Sequence, residues 1–156
     1  MNKRVICLFA IFSIVVLTVG GVSAADLNDR NFDNYFSMKV PKNVDFQKES
    51  NSTNEDGFKM DMLMYLSENF GIIYFDSPLT SENSSYTFYQ QMFQGANPDL
   101  TQCYESQEDN LRILEPTVKD KTHVSIVGTS SGNKFIILFG NDVNLLKEMG
   151  HSIRFL

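Results

Sequence analysis

Residues 123–156 read HVSIVGT, SSGN, KFIILFG and NDVNLLKEMGHSIRFL. Two runs rich in β-branched and aromatic residues flank Ser130, Ser131, Gly132 and Asn133. Glycine and asparagine tolerate the positive φ of a tight turn, so the stretch predicts a β-hairpin. A helix should follow at once. Gly140 frees the strand end, Asn141 or Asp142 can cap the first exposed N–H groups, and Val143, Leu146, Met149 and Ile153 recur at near-helical spacing. This unit is expected to close the core.

Working back from it, Leu100–Ser106 and Leu111–Glu115 flank the polar run Gln107–Asn110 and predict a second hairpin ended by Pro116. A helix over Leu100–Leu114 stays open as an alternative, because Gln, Glu and Leu are permissive there. Tyr86, Tyr89, Met92 and Phe93 follow a helical period up to Gly95, with Pro98 beyond, which predicts a helix of about three turns starting at Ser84 or Ser85. Phe58–Leu66 alternates, with Phe58, Met60, Met62, Met64 and Leu66 on one face and Lys59 and Asp61 on the other. It is expected to pair with a strand at Gly71–Phe75. Phe36–Pro41 and, less regularly, Val44–Gln47 also read as strands, whereas Asp26–Asn34 reads as a polar lead and Ser50–Gly57 and Asp76–Glu82 as loops. Strands with one helix in mid-chain and one at the end predict an α+β domain, an antiparallel β-sheet with helices packed on one face.

The start of the chain has a different character. Lys3 and Arg4 precede an apolar run, Val5–Val19, and small residues at Val22-Ser23-Ala24, the pattern of a secretory signal cut after Ala24. An uncleaved anchor is the alternative, since Val5–Val22 is just long enough to cross a bilayer. Without the first 24 residues, 132 of the 156 remain, a length that suits one domain over 25–156. Loss of Lys3 and Arg4 leaves 11 basic against 19 acidic residues, taking the formal charge from −6 to −8. That balance argues against nucleic acid and anionic membrane surfaces, both of which call for clustered Lys and Arg. A membrane would be met only through an uncleaved signal segment. Cys103 would then be the one remaining thiol, so no internal disulfide is expected.

Phe36-Ser37-Met38-Lys39-Val40-Pro41, the hairpin with Gly128 and Gly132, and the ending Ser152-Ile153-Arg154-Phe155 resemble PsbP-type extrinsic photosystem proteins. Val127–Phe135 and Leu145–Met149 resemble small exported proteins of methanogenic archaea. The first likeness implies a fold, and neither implies an activity.

Several motifs carry candidate chemistry. Gly128-Thr129-Ser130-Ser131-Gly132 satisfies G-x-S-x-G, with Asp142 and His151 following in hydrolase order, but a nucleophile elbow passes from strand to helix and this turn passes from strand to strand. Met60, Met62 and Met64 could offer thioethers to Cu(I), with His123 or His151 as a further ligand, although Phe58 and Leu66 on the same face read as core. Ser52–Gly57 fails as a calcium loop because Ser52 and Leu63 stand where carboxylates are needed. A loose surface calcium site from Glu55, Asp56, Glu105, Glu108 and Asp109 is the weaker form of that idea. Asn51-Ser52-Thr53 and Asn83-Ser84-Ser85 are N-glycosylation sequons.

The sequence therefore predicts a secreted or cell-surface, noncatalytic binding module for an envelope or extracellular protein or small ligand, with no cofactor and no catalytic set. A small-ligand or Cu(I) carrier is the alternative. A Cys103-dependent enzyme using a histidine is the third reading.

Overall fold

The computed structural model describes residues 26–55, 58–76, 82–118, 120 and 122–156. The signal segment and its cleavage point lie outside them. In chain order the elements are β1 Leu27–Phe32, β2 Phe36–Pro41, β3 Gln47–Glu55, β4 Phe58–Leu66, β5 Phe70–Asp76, α1 Glu82–Ala96, β6 Cys103–Glu108, β7 Leu111–Pro116, β8 Ser125–Ser131, β9 Lys134–Gly140, α2 Val143–His151 and β10 Arg154–Phe155. Seven strands form an antiparallel sheet in the order β3-β4-β5-β9-β8-β7-β6, and β1-β2-β10 form a small second sheet. The domain is thus α+β in kind but dominated by strand.

The large sheet is two meanders joined along one seam. β3, β4 and β5 follow one another, as do β6, β7, β8 and β9, and β5 pairs with β9 from Phe70↔Gly140 to Asp76↔Lys134. At the seam the Phe139 ring covers Gly71, where a Cβ would lie 2.1 Å from the ring. The predicted hairpin turn is present, with Gly132 at φ 58°, and Asp142 is the cap, accepting from Leu145 N at 3.0 Å.

Alternation along the strands divides the interior into two cores. Leu63, Tyr65, Ile72, Ile113, Val127, Ile136 and Leu138 point to one side, where Leu145, Leu146 and Met149 of α2 and Phe36, Met38 and Val40 of β2 cover them. Met62, Met64, Ile73, Ile126, Ile137 and Phe139 point to the other, under Tyr89, Met92 and Phe93 of α1. The two helices therefore lie on opposite faces, which corrects the expectation of helices on one face. The physical reason is the continuous apolar character of β5 and β9, buried residue after residue: such strands must be covered on both sides.

Three further expectations are corrected here. The polar lead contains β1, paired in full with β2 from Leu27↔Pro41 to Phe32↔Phe36. Ser50–Glu55 is not loop but the far half of the edge strand β3, while Val44 and Phe46, ahead of the strand, lodge against the small-sheet core. Asp45 carries no strand; the chain enters β3 only at Gln47. Edge strands expose so much surface that their composition can be wholly polar.

Candidate functional site

The most organised polar cluster stands where α1 hands over to β6 and where β8 begins. Asn97, directly after α1, is a fully buried residue that acts as a hook. Its Nδ2 donates to Phe93 O at 3.0 Å and to Val124 O at 3.1 Å, and its Oδ1 accepts from Val124 N at 2.8 Å. The start of β8 is thereby tied to the end of the helix, and each buried peptide group is satisfied.

His123 sits beside this hook and is 8% exposed. Its Nε2 lies 2.9 Å from Asp99 Oδ2 and its Nδ1 2.8 Å from Asp120 Oδ1. Asp120 also takes the Thr122 N–H at 2.8 Å, the Thr122 hydroxyl at 2.7 Å and the His123 N–H at 3.1 Å, so one carboxylate holds Thr122 and His123 together. Asn141 Nδ2 donates to His123 O at 3.0 Å and brings in the junction between β9 and α2.

A ring nitrogen facing a carboxylate on each side is satisfied only when both nitrogens carry protons. Accordingly the imidazole pKa is raised, chiefly by the hydrogen bond to Asp99, against the opposing effect of burial and with help from Asp120. The Asp99 carboxyl is lowered mainly by its bond to His123, and the Asp120 carboxyl falls well below the carboxylate range, mainly through the Thr122 hydroxyl. Chemically this is an imidazolium clamped between two anions. It holds segments together, and it leaves neither nitrogen free to accept a proton from a substrate.

The other sequence candidates are dispersed. Met62 and Met64 are 5% and 4% exposed, inside the α1-side core, while the Met60 side chain lies outside the described residues. Met64 stands level with Ile73, Ile137 and Gly128 across the sheet. His123 is three strands away and five residues further along, so the two are about 20 Å apart, far beyond any shared metal. His151 belongs to the other face, at the end of α2, 3.7 Å from Glu108 Oε2 and 3.7 Å from Asp109 Oδ2. Neither histidine can complete the methionine set.

The hydrolase-like series separates in the same way. Asp142 caps the start of α2 and His151 ends it, about 13 Å apart along the helix axis, and Gly128 is small because the Tyr89 ring lies 2.4 Å from where its Cβ would be. Cys103 opens β6 with its thiol 3.8 Å from Glu105 Oε1. Burial first, and then Glu105, push that thiol up, the opposite of what a nucleophile requires. Glu105, Glu108 and Asp109 sit on the β6–β7 hairpin at one edge of the sheet, and β3, which ends in Glu55, is the other edge, so the loose calcium group does not assemble. Asp56 lies outside the described residues. Asn51 is exposed in mid-β3 rather than in a loop; Asn83 falls in the first turn of α1, its side chain outside the described residues.

Asn97, Asp99 and Asp120 were not singled out from the sequence. Asp120 and His123 three residues apart, with Thr122 between, carry a local signal for an aspartate-capped turn; Asp99 carries none, since only the fold brings it to the ring. Comparisons with protein-family models, with characterised proteins and with solved structures return no match to this chain.

Proposed function

We propose that the chain is an exported, noncatalytic binding module of the cell envelope or cell surface. The observation that carries the noncatalytic half is the engagement of both His123 ring nitrogens by carboxylates at 2.8 and 2.9 Å. Export rests on the basic, apolar and small-residue order of residues 1–24.

The partner-binding half draws on β6, the terminal strand of the large sheet. Among the described residues no strand pairs with its outer side, and Tyr104 on it is 62% exposed. An open edge of this kind can accept an extended segment as an eighth strand, with backbone hydrogen bonds giving affinity. Glu105 and Asp109 lie on the same hairpin and the chain is acidic overall, so the fitting partner is a basic, extended segment of an envelope or extracellular protein.

The test is capture from host envelope fractions by wild type and by a Tyr104→Ala/Glu105→Lys variant, followed by hydrogen exchange on the complex. Loss of capture by the variant and slowed exchange of β6 amides are expected. Equal capture with unchanged β6 exchange removes the edge as the docking element, and turnover of any substrate in an activity screen removes the noncatalytic reading.

A further inference from the structure

β3 is the other terminal strand of the large sheet: it pairs with β4, and among the described residues no strand lies against its outer side. Its nine residues, at about 3.4 Å each, make an edge about 30 Å long, and an edge of that length is a template for unwanted pairing with another chain. The sequence QKESNSTNE holds no apolar side chain and no proline. Polar side chains remove the hydrophobic drive to associate, yet they leave the outward row of backbone N–H and C=O groups in place.

The sequon Asn51-Ser52-Thr53 occupies the middle of this strand. Asn51 stands opposite Met62 of the α1-side core, so it lies on that face at the margin of the sheet, where it is exposed. Among the described residues no hydrogen bond engages its side-chain amide. Ser52 is turned to the other face, its hydroxyl bonded to Asp61 Oδ1 at 2.7 Å, and so does not compete for that amide. A strand held by a single neighbour opens locally at lower cost than one in the centre of the sheet, which gives a modifying enzyme access to the backbone around residue 51. β6, the edge assigned above to partner binding, reads CYESQE and contains no sequon.

We propose that Asn51 is N-glycosylated and that the glycan caps the β3 edge, leaving β6 as the edge at which an added strand docks. The proposal rests on the exported reading, since sequons are modified on chains that leave the cytoplasm. In the transfer, Asn51 Nδ2 bonds to the anomeric carbon of a lipid-phosphate-linked oligosaccharide. The C–O bond to the phosphate breaks, the lipid phosphate leaves with the electron pair, and Nδ2 gives up one proton. A bulky, hydrated group on the fifth of nine residues leaves runs of four on either side, shorter than the mean strand of about 5–6 residues. An incoming chain then finds no stretch long enough to pair.

The test is intact mass and peptide mapping of the full chain made in its native host, as wild type, Asn51→Gln, Thr53→Ala and Thr53→Ser. Wild type recovered outside the membrane should carry an increment of whole sugar residues on Asn51. Asn51→Gln and Thr53→Ala should each lose that increment, and Thr53→Ser, which restores the sequon, should keep it. Without the glycan, Asn51→Gln should form dimers or larger species by light scattering, with slowed exchange of β3 amides. A chain recovered outside the membrane with Asn51 bare overturns the site while export stands; a chain found only inside the cell overturns export and the site with it. Light scattering that is the same for glycosylated wild type and for Asn51→Gln overturns the capping role.

Discussion

The two ends of the large sheet handle negative charge in opposite ways. At the β8 entrance, Asp99 and Asp120 converge on a cation the chain supplies itself, the His123 imidazolium, and the Asn97 hook fixes the backbone around it. At the far end, Asp61 and Asp76 are cross-strand partners, and Lys134, set opposite Asp76, donates a hydrogen bond to Leu156 O. The first end is complete as folded and therefore structural. The second sets two carboxylates opposite each other on neighbouring strands, a pairing that costs stability.

Substitutions can break or sharpen that contrast, the largest effect first. Asn97→Ala should cost about 3 kcal/mol by chemical denaturation, since it strands Val124 N–H and two carbonyls in the interior. His123→Asn should cost less, and its penalty should depend on pH. The imidazole pKa is raised in the fold, so its contribution is full below the unfolded value of 6.5 and fades as pH climbs through the folded value. The lowered carboxyls of Asp99 and Asp120 act in the other sense: their contribution is full above 3.8 and is lost as pH falls through their folded values. Melting temperatures of wild type should thus fall towards alkaline pH over a range where His123→Asn stays flat; parallel curves would mean that the ring does not bridge two anions. At the other end, Asp76→Asn should raise stability by a few tenths of a kcal/mol, the reverse sign, by removing a like-charge neighbour. Tyr74→Phe should change stability by less than about 0.5 kcal/mol, because the hydroxyl it deletes has no partner to lose.

Much of the fold was legible because its central elements announce themselves locally. β4, β5, β8, β9 and α2 are where hydrophobic pattern, turn glycine and capping aspartate place them. The opposite-face placement of the helices was also written in GIIYF and KFIILFG, whose lack of alternation means cover on both sides, although alternation in β4 alone suggested one buried face. β1 and β3 escaped because strands such as QKESNSTNE owe their form to a neighbour's backbone and not to side-chain burial. The site residues were the least legible. His123 and Asp99 are 24 residues apart, so their pairing depends on where α1 ends and where β8 begins, and no local pattern encodes either.

The seam between β5 and β9 has a kinetic consequence. Each meander can zip from its own turns, but Phe70 must find Gly140 and Asp76 must find Lys134 across some sixty residues that include a whole helix. Loop-closure entropy is spent before that contact yields anything, which places folding in the slow, millisecond-to-second class. Until the seam shuts, the chain carries two half-sheets with bare, oily inner margins, and a newly made copy is then most open to sticking to another.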